Sequence, residues 1–392
     1  MANTYLSRTG IGSSNNQKKW TFSGWFKKAS NGSEQRLITS SDNSSYDDNI
    51  RFASDDTIKV IFNNATVIGT NRLFRDNNAF YHIVVKVDTD QVSANDRVVL
   101  YINGVDERTV GGYADDSMPN QGVTGYINYS QHYIGVTNPS ANSYHFNGVM
   151  SHVHFTDGYA YDASAFGETD STTGEWKIKT DPSVSYGTSG FWILKDGNSV
   201  TDSSTNSNAF TVSQGTLTNT EDCPSNVFPI LQPAGQPGSC TLSSGSLALD
   251  GANENNWAIS FNSTIGASSG KYYWEIKLGM HGENTTDYNI MGVCRSDKTW
   301  TNSTVYSNGG FNGLQSSNSA GGLGIYSQPG ASMGSALYIG GTSVNLTNGD
   351  IVSFALDLDN KKMWVGKNGT WADDGNSGNA GNPATGAYPL WG

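Results

Sequence analysis

The sequence predicts an all-β protein made of two antiparallel β-sandwiches that are joined by an irregular, proline-bearing segment. Three observations support this fold class. Helical periodicity is almost absent, whereas short alternating or apolar runs recur between Gly, Asn, Asp and Ser residues. These runs return about every 8–12 residues, which is the spacing of strands in sandwiches. Four of the ten prolines fall within residues 222–237 and separate two strand-rich regions.

Composition excludes several classes of protein. With 392 residues, the chain has room for two or three domains of ordinary size. Its 19 Tyr, 15 Phe and 10 Trp argue against a disordered chain, because burying aromatic rings offsets the entropy lost on ordering. No apolar stretch approaches the roughly 18 residues of a membrane helix, and the N-terminus does not predict a secretion signal. A net charge of −12 disfavours binding to nucleic acid.

The strands of the first half are predicted from alternation and from the turn residues that follow them. The four clearest runs are Trp20–Lys28, Thr57–Phe62, Phe80–Val87 and Arg97–Ile102. The second run ends at Asn63-Asn64 and the fourth at Asn103-Gly104. Asn-Gly is the strongest short signal for a β-hairpin, because both residues readily adopt positive φ. The pattern predicts one sandwich over residues 1–168.

Residues 169–235 are predicted to be a connecting segment. Isolated strand-like pieces stand there in polar surroundings, at Gly174–Lys179, Ser189–Lys195 and Asn208–Val212. The prolines that follow remove ladder donors and restrict the residues before them, which places a domain boundary near residue 236. Either Cys223 and Cys240 form a disulfide across these prolines, or all the cysteines, including Cys294, are free thiols.

The second half, residues 236–392, is again predicted to be β-structure. Its strand-like runs are Ser246–Asp250, Gly270–Leu278, Asn289–Cys294, Asp350–Asp359 and Met363–Lys367. The last two runs form a hairpin, and a second Asn-Gly turn follows at Asn368-Gly369. Residues 308–341 contain too few apolar side chains for a core, so a long surface loop with a strand or two inside it is expected there.

Five runs in the first half occur in an order that a known family uses. They are Phe22–Lys28, Phe80–Asp88, Val99–Val105, Tyr133–Gly135 and Phe146–Phe155. On these runs, residues 3–165 resemble the laminin-G-like/concanavalin-A-like jelly-roll family. The resemblance covers most of the first predicted domain and implies a jelly roll. It leaves the ligand open, since members of the family bind glycans, bind proteins or bind nothing.

The second half carries a different set of ordered runs. They are Gly270–Glu275, Met291–Val293, Gly349–Asp357 and Lys367–Gly369. This order is similar to that of SPRY domains and implies a SPRY-like sandwich over residues 236–392. The sequence departs from the family after Tyr388, where a SPRY domain would supply one or more closing strands. We therefore expect a sandwich without its closing strand, or an edge that another domain or another chain covers.

The combination of the two halves is informative in itself. Between them lie Phe166–Trp176 and Asp222–Phe228, and the whole order resembles virion proteins of marine bacteriophages, especially those of cyanobacteria. The resemblance implies a place on the exterior of the phage particle, either in a tail fibre or as capsid decoration. It also implies a homo-oligomer that assembles with other virion structural proteins, without nucleic acid and without membrane insertion.

Some glucanases share the jelly-roll fold, so glycosidase chemistry is one function to consider for this sequence. Such enzymes need two carboxylates flanking the scissile bond, and the family places them on one strand as Glu-x-Asp-x-x-Glu or with one fewer spacer. Glu168 and Asp170 supply the first half of that motif, but Glu175 comes too late and follows a predicted turn. The sequence therefore predicts a protein without catalytic residues. A depolymerase of this fold and a secreted cellular adhesin are the alternatives.

Metal binding has two sets of candidates. His152 and His154 lie two apart on a predicted strand, near His145, where a shared face would suit either a metal or ordinary stacking. Calcium takes 6 to 8 oxygen ligands, roughly, and jelly-roll lectins often supply them from acidic loops. The acidic candidates are Asp47, Asp48, Asp88 and Asp90. No EF-hand order is present, so solvated turns are the competing interpretation, and no other cofactor is expected.

Tyrosines in polar loops are the candidates for ligand binding. They are Tyr113, Tyr126, Tyr129, Tyr133, Tyr144, Tyr159 and Tyr161. Sugars present C–H faces that stack on aromatic rings, but the same rings serve equally well in contacts between subunits or in ordinary packing. We therefore expect a non-enzymatic structural protein of the phage exterior, with lectin-like binding to host surface glycans as a second role.

Overall fold

The structure is a computed structural model of the chain. The residues that it describes are 3–9, 11, 16–42, 45–138, 140–195, 197, 199–231, 240–243, 246–251, 263–279, 289–294, 322–327, 337–339, 341–344, 346–374 and 378–391. They form an all-β protein, as the alternating runs predict. The chain divides into two compact units, of which the first holds residues 1–234 and 242–250 and the second residues 235–241 and 251–392. In the described residues, no helix is long and apolar enough to span a membrane.

Up to residue 231, the described residues of the first unit form sixteen strands. They are β1 Tyr5–Thr9, β2 Lys19–Lys28, β3 Gln35–Ser41, β4 Asp47–Phe52, β5 Ile58–Phe62, β6 Ala65–Thr70, β7 Tyr81–Asp88, β8 Val98–Ile102, β9 Val105–Asp106, β10 Tyr113–Asp116, β11 Gln131–Ile134, β12 Gly148–Asp157, β13 Gly167–Thr169, β14 Trp176–Ile178, β15 Phe191–Ile193 and β16 Thr211–Gln214. The same described residues also form an α-helical turn, α1, Glu107–Val110, and 3-10 turns at Ala94–Asp96 and Ala163–Ala165. The predicted hairpin turns are confirmed, since Asn63, Asn64, Asn103 and Gly104 all have positive φ.

Two antiparallel sheets enclose the main core of the first unit. One has eight strands in the order β10-β6-β5-β4-β3-β11-β1-β16, and the other has six in the order β15-β12-β2-β7-β8-β9. Phe22, Phe26, Phe52 and Phe155 are completely buried in this core. Burying a phenylalanine side chain contributes roughly 1.5–3 kcal/mol, so each of these rings favours the folded state.

A second layer covers the other face of the six-stranded sheet. Trp25 and His82 stack there with ring centroids 4.6 Å apart, and Trp176 lies against His82 at 6.0 Å. The indole Nε1 of Trp176 donates to His82 Nδ1 at 2.9 Å. We call residues 158–190, which include Trp176, the cover segment. Because it buries the face of β2 that turns away from the core, β2 is buried on both faces.

Residues 169–234 therefore belong to the first unit, which differs from the connecting segment that the polar composition suggested. β15 pairs with β12, and β16 pairs with β1, so both extend the two sheets. Asp222 forms a buried ion pair with Lys27 of β2, at 2.8 Å. β15 and β16 are recognisable in the sequence as short strand-like runs. The strands that they pair with, however, lie far away along the chain.

Of the ten described strands of the second unit and of its boundary, five lie on predicted runs, at 248–251, 271–277, 289–294, 351–357 and 362–367, and two lie in the region predicted to be a loop, at 322–327 and 337–339. The ten strands are β17 Cys240–Ser243, β18 Ala248–Gly251, β19 Lys271–Lys277, β20 Asn289–Cys294, β21 Gly322–Ser327, β22 Leu337–Ile339, β23 Thr342–Val344, β24 Ile351–Asp357, β25 Lys362–Lys367 and β26 Thr370–Trp371. β19, β24, β25 and β26 form an antiparallel sheet in that order. Phe354, Val365 and Met363 form part of its core, and the main chain of Met363 is hydrogen-bonded to Leu390 and Trp391. Most of the predicted loop at 308–341 lies outside the described residues.

Candidate functional site

An open groove of about 480 Å³ lies in the first unit, beside the ends of β3 and β4. It is lined by Arg36, Ser41, Ser45, Tyr46, Asp47, Asn64, Thr137, Asn138, Ala141, Ser143 and Tyr144. We call it the Arg36–Tyr144 groove. Its base comes from neighbouring strands and its wall from the loop 137–144. Its lining combines charged, amide, hydroxyl and aromatic side chains, which is the usual chemistry of a site for a polar ligand.

One main-chain hydrogen bond joins the loop 137–144 to β3, and another closes the loop on itself. Arg36 N donates to Tyr144 O at 3.0 Å, and Asn142 N donates to Asn138 O at 2.8 Å. Asn142 and Tyr144 have φ values of +42° and +57°. Asparagine tolerates this left-handed region, but a bulky residue such as tyrosine is an outlier there. Such conformations cost about 1–3 kcal/mol and concentrate at functional sites, so the backbone itself points to Tyr144.

Two arginines and two carboxylates form the charged base of the groove. Arg36 Nη1 and Nη2 donate to the two oxygens of Asp47 at 3.3 and 3.4 Å. Arg36 Nε also lies 2.7 Å from Glu34 Oε1, and Arg51 Nη1 lies 3.6 Å from the same oxygen. Burial, together with the neighbouring charge of Arg36, lowers the pKa of Arg51. The base is thus a compact network of paired charges.

The side chains of this network differ sharply in exposure. The Arg36 side chain is 5% exposed, whereas that of Asp47 is 48% exposed. Tyr144 is 49% exposed, and its ring centre lies 5.6 Å from the Arg36 guanidinium carbon. A ligand that enters the groove therefore meets an aromatic ring and a carboxylate first, with the guanidinium underneath.

Several predicted tyrosines are brought together at this groove. Tyr46, which lines it, stacks on Tyr126 with ring centroids 5.0 Å apart and meets Tyr129 edge-on at 5.4 Å. The Tyr46 hydroxyl lies 2.6 Å from Ser130 Oγ. Tyr126 and Tyr129 therefore pack on Tyr46 without lining the groove themselves, and Tyr144 is the one candidate tyrosine in its lining.

The other candidate tyrosines lie elsewhere. Tyr133 is buried in a small cluster with Tyr5 and Val136, and Tyr113 packs on the main core. Tyr159 and Tyr161 stack on each other at 6.0 Å in the cover segment. None of these four lines the groove.

The acidic candidates for calcium are tied up in other contacts. Asp48 is fully buried, and its oxygens accept the backbone N–H groups of Asn63, Asn64 and Tyr126 at 2.6–3.0 Å. Burial raises the pKa of this carboxyl, and the three N–H groups oppose that rise. A cation could bind Asp48 only by displacing these donors.

The remaining acidic candidates are ion-paired. Asp47 binds Arg36, and Asp88 and Asp90 lie 3.0 and 3.5 Å from the ammonium groups of Lys19 and Lys18. In the described part of the chain, no group of three or more His, Cys, Asp or Glu residues has the geometry to hold a metal ion.

The strand that carries His152 and His154 is locally distorted. A register shift interrupts the pairing of β12 with β2 between Ser151 and His154, and His152 has a φ of +47°. The His154 Nδ1 atom lies 2.9 Å from the Tyr186 hydroxyl, and its ring stacks on Trp192 at 5.0 Å. Despite this shift the two imidazole rings stay close together, with centroids 6.4 Å apart, and the His152 ring also lies 6.1 Å from Trp192. His154 is part of the packing beneath the cover segment.

The carboxylates that were tested for glycosidase chemistry lie on the β13–β14 hairpin. Asp170 accepts the N–H groups of Thr172 and Thr173, and Lys177 lies 3.2 Å away. These contacts lower the pKa of Asp170 to about 2, whereas a general acid requires a raised pKa. Glu168 lies 3.6 Å from the same lysine. The arrangement is a turn fixed by capping and ion pairs.

Cys223 is a free thiol, with its Sγ 3.4 Å from Ser225 Oγ. The side chains of Cys240 and Cys294 lie outside the described residues.

Sequence reasoning missed Arg36 and Tyr46. Tyr46 lies in a polar stretch, as the candidate tyrosines do, so the same sequence pattern points to it. Arg36 gives no such signal, because a single arginine in a strand is most often a solvated surface residue. Its role at the base of the groove follows from the pairing of β3 with β4, which places Arg36 opposite Arg51.

Comparison with known proteins identifies the fold of the first unit. Residues 2–164 match the family model described as the concanavalin A-like lectin/glucanases superfamily, Laminin_G_3. The match covers less than half of the 392 residues. Together with the packed antiparallel sheets, it supports the laminin G-like, concanavalin A-like lectin fold that the five ordered runs implied. No curated protein has a significant sequence match to this chain.

Solved structures similar to this chain are distant. A Bacteroides ovatus protein named as a candidate carbohydrate binder has a TM-score of 0.33 and 15% identity, over 56% of this chain and 60% of its own length. Mouse laminin α1 domains LG4-5 have a TM-score of 0.32 and 8% identity, over 95% of this chain and 75% of theirs. A heptameric pentraxin from Limulus polyphemus has a TM-score of 0.27 and 13% identity, over 40% and 77%.

Proposed function

We propose that this chain is a non-enzymatic glycan-binding protein whose Arg36–Tyr144 groove holds the sugar. The observation that carries the proposal is the half-exposed ring of Tyr144, held at positive φ beside the exposed carboxylate of Asp47. A lectin-type fold supports it, but a fold alone does not establish a ligand, so the argument depends on the groove.

The groove offers the two kinds of contact that a sugar needs. A pyranose ring has an apolar C–H face, which packs on an aromatic side chain such as Tyr144. Its hydroxyl groups donate hydrogen bonds, and an ionised carboxylate has about four lone-pair sites to accept them. Arg36 occupies only part of that capacity on Asp47, at 3.3 and 3.4 Å. The carboxylate can therefore also accept hydrogen bonds from sugar hydroxyls.

Glycan binding can be tested with a matched pair of tyrosine variants. The purified protein is screened on a glycan array, and the affinity of the strongest binder is measured by calorimetry. Tyr144→Ala should weaken that binding by about tenfold or more, because aromatic contacts contribute about 0.5–1.5 kcal/mol beyond the area that they bury. Tyr159→Ala removes a tyrosine that is similarly exposed, 43% against 49%, and should leave the affinity unchanged. Equal affinities for Tyr144→Ala and wild type would refute the proposed site.

The absence of catalysis is part of the proposal. Its support is the state of Glu168 and Asp170, which are held by capping donors and Lys177 rather than aimed into a groove. The competing function is depolymerisation of a polysaccharide. Incubation with the polysaccharides that the array identifies should release no new reducing ends. A clear release that depends on the protein would replace the binding function with an enzymatic one.

We propose further that the protein belongs to the exterior of a phage particle, where it assembles with copies of itself and with other virion structural proteins. The support is the order of sequence motifs described above, including the SPRY-like runs of the second half. Quantitative mass spectrometry of purified particles tests this role. Hundreds of copies per particle would assign the chain to capsid decoration, and a small multiple of three or six to the tail. Absence from the particles would favour a cellular adhesin.

A further inference from the structure

The charges at the Arg36–Tyr144 groove are arranged so that a ligand meets the negative one first. The Asp47 side chain is 48% exposed, and the Arg36 side chain beneath it is 5% exposed. Both terminal nitrogens of Arg36 point to Asp47, and its Nε lies against Glu34. The charge of the guanidinium is therefore compensated by carboxylates on two sides, although its Nε donates no hydrogen bond.

The second arginine of the base has polar partners as well. Arg51 Nη1 donates to Asn49 Oδ1 at 3.3 Å and lies 3.6 Å from Glu34. Two arginines thus face two carboxylates, Glu34 and Asp47, and the base has no net charge. The whole chain carries a net charge of −12, so the wider field adds no attraction for anions.

From this arrangement we infer that the groove selects neutral glycans and excludes acidic ones, such as those built from uronic acids or bearing sulfate. The inference rests on the proposed glycan-binding function. The hydroxyl groups of a neutral sugar can donate hydrogen bonds to Asp47 while its C–H face packs on Tyr144. An acidic sugar would bring a second anion next to Asp47, and no uncompensated cation at the base offsets that repulsion.

The test compares oligosaccharides that differ in charge alone. Pairs of the same linkage and length are used, in which C6 is a hydroxymethyl group in one member and a carboxylate in the other. The neutral member should bind the full-length protein about tenfold more tightly or better at low ionic strength. Added salt should narrow this ratio, because it screens the repulsion between exposed charges.

A charge-matched pair of variants assigns the selectivity to Asp47. Asp47→Asn keeps the shape of the side chain, removes the repulsion and releases Arg36, so the neutral-to-acidic affinity ratio should fall towards one. Asp96→Asn makes the same change in net charge at an exposed 3-10 turn outside the groove, and should leave the ratio as in wild type.

The outcomes separate this inference from the proposed function. If the acidic member binds wild type as tightly as the neutral one or more tightly, the selectivity is wrong while glycan binding stands. If Asp47→Asn retains the wild-type ratio, Asp47 is not its source and the inference also fails. If no member of any pair binds wild type, the proposed function falls, and the selectivity falls with it.

Discussion

Two neighbouring lysines of β2 are buried on opposite sides of the six-stranded sheet. Lys28 faces the core side, where its ammonium lies 3.0 Å from Asp56 and 4.8 Å from the centre of the Phe52 ring. Lys27 faces the other side and binds Asp222 at 2.8 Å. The Lys27 ammonium also donates to the carbonyl of Phe228 at 2.6 Å, so it attaches this part of the chain to β2.

Removing one member of the Lys27–Asp222 pair should destabilise the protein strongly. Lys27→Met should lower the free energy of unfolding by about 3–5 kcal/mol, because Asp222 would remain buried without a cation. Urea unfolding monitored by tryptophan fluorescence measures the change. The double variant K27M/D222L replaces both charges and should be more stable than K27M alone. If the free energy of unfolding of K27M equals that of wild type, the Lys27–Asp222 pair does not stabilise the fold.

Three histidines of the first unit are buried without a neighbouring carboxylate that would favour their charged form. Burial lowers the pKa of His82 and of His132 to about 3, and lowers that of His154 well below its ordinary value. The Trp176 indole donates to His82 Nδ1, so His82 Nε2 carries the proton and donates to Ser23 Oγ at 2.9 Å. These contacts are made by the neutral ring.

Stability should therefore fall as the pH falls below the histidine pKa of the unfolded chain, about 6.5. Between that value and the folded pKa near 3, the unfolded chain binds a proton that the folded protein does not. Each such histidine should contribute a loss of about 1.4 kcal/mol per pH unit. Urea unfolding at pH 7, 6 and 5 measures the slope.

The matched variants differ in the burial of the histidine that they replace. His132→Leu removes one deeply buried site, which packs on Phe155 and Phe191, and should reduce the slope. His145→Gln removes a histidine on the half-buried loop beside Tyr144 and should change the slope less. A slope that His132→Leu leaves intact would contradict this assignment.

At the scale of elements, β2 depends on chain segments that come more than a hundred residues later. Its side chains that turn away from the core contact them in succession. Thr21 Oγ1 donates to Tyr159 O, Trp25 stacks on His82 beneath Trp176, and Lys27 binds Asp222. The cover segment is therefore part of the sandwich and not an appendage to it.

Trp176 is the side chain that fastens the cover segment, so Trp176→Ala should release it. The indole lies against the α-carbons of Gly104 and Gly167, where an added β-carbon would clash with the ring. Limited digestion with trypsin reports the release, because cleavage at Lys177 and Lys179 should become fast. Glu175→Ala, on the same hairpin, should be digested at the wild-type rate. If W176A is as resistant as wild type, other contacts hold the segment.

Individual strands and turns were largely accessible from the sequence. The run at Trp20–Lys28 became β2, and Asn103-Gly104 became a hairpin turn. Such features depend on neighbouring residues, so local patterns specify them. The strand that contains His152 and His154 shows the limit, because simple alternation does not describe the register shift in its pairing with β2.

At the scale of the whole molecule, the first unit should fold and bind glycans without the second. A fragment of residues 1–251 contains both sheets, the cover segment and the groove, and should bind the array-selected glycan with the affinity of the full chain. A fragment of residues 1–168 lacks β15, β16 and Trp176, so it would expose Trp25 and Lys27. It should be aggregated or unfolded by circular dichroism and gel filtration. A stable, monomeric 1–168 fragment would show that the later segments are dispensable.

The sequence by itself determined the fold class, most strands of the first half and the hairpin turns, because alternation and turn chemistry act over a few residues. It also placed Tyr144 among the ligand candidates. Only the tertiary structure decided that residues 169–234 complete the first unit, and that Arg36, Asp47 and Tyr144 meet in one groove. The physical reason is that the pairing of β3 with β4 and the folding of the loop 137–144 bring distant residues together. Contacts of that range leave no trace in local periodicity.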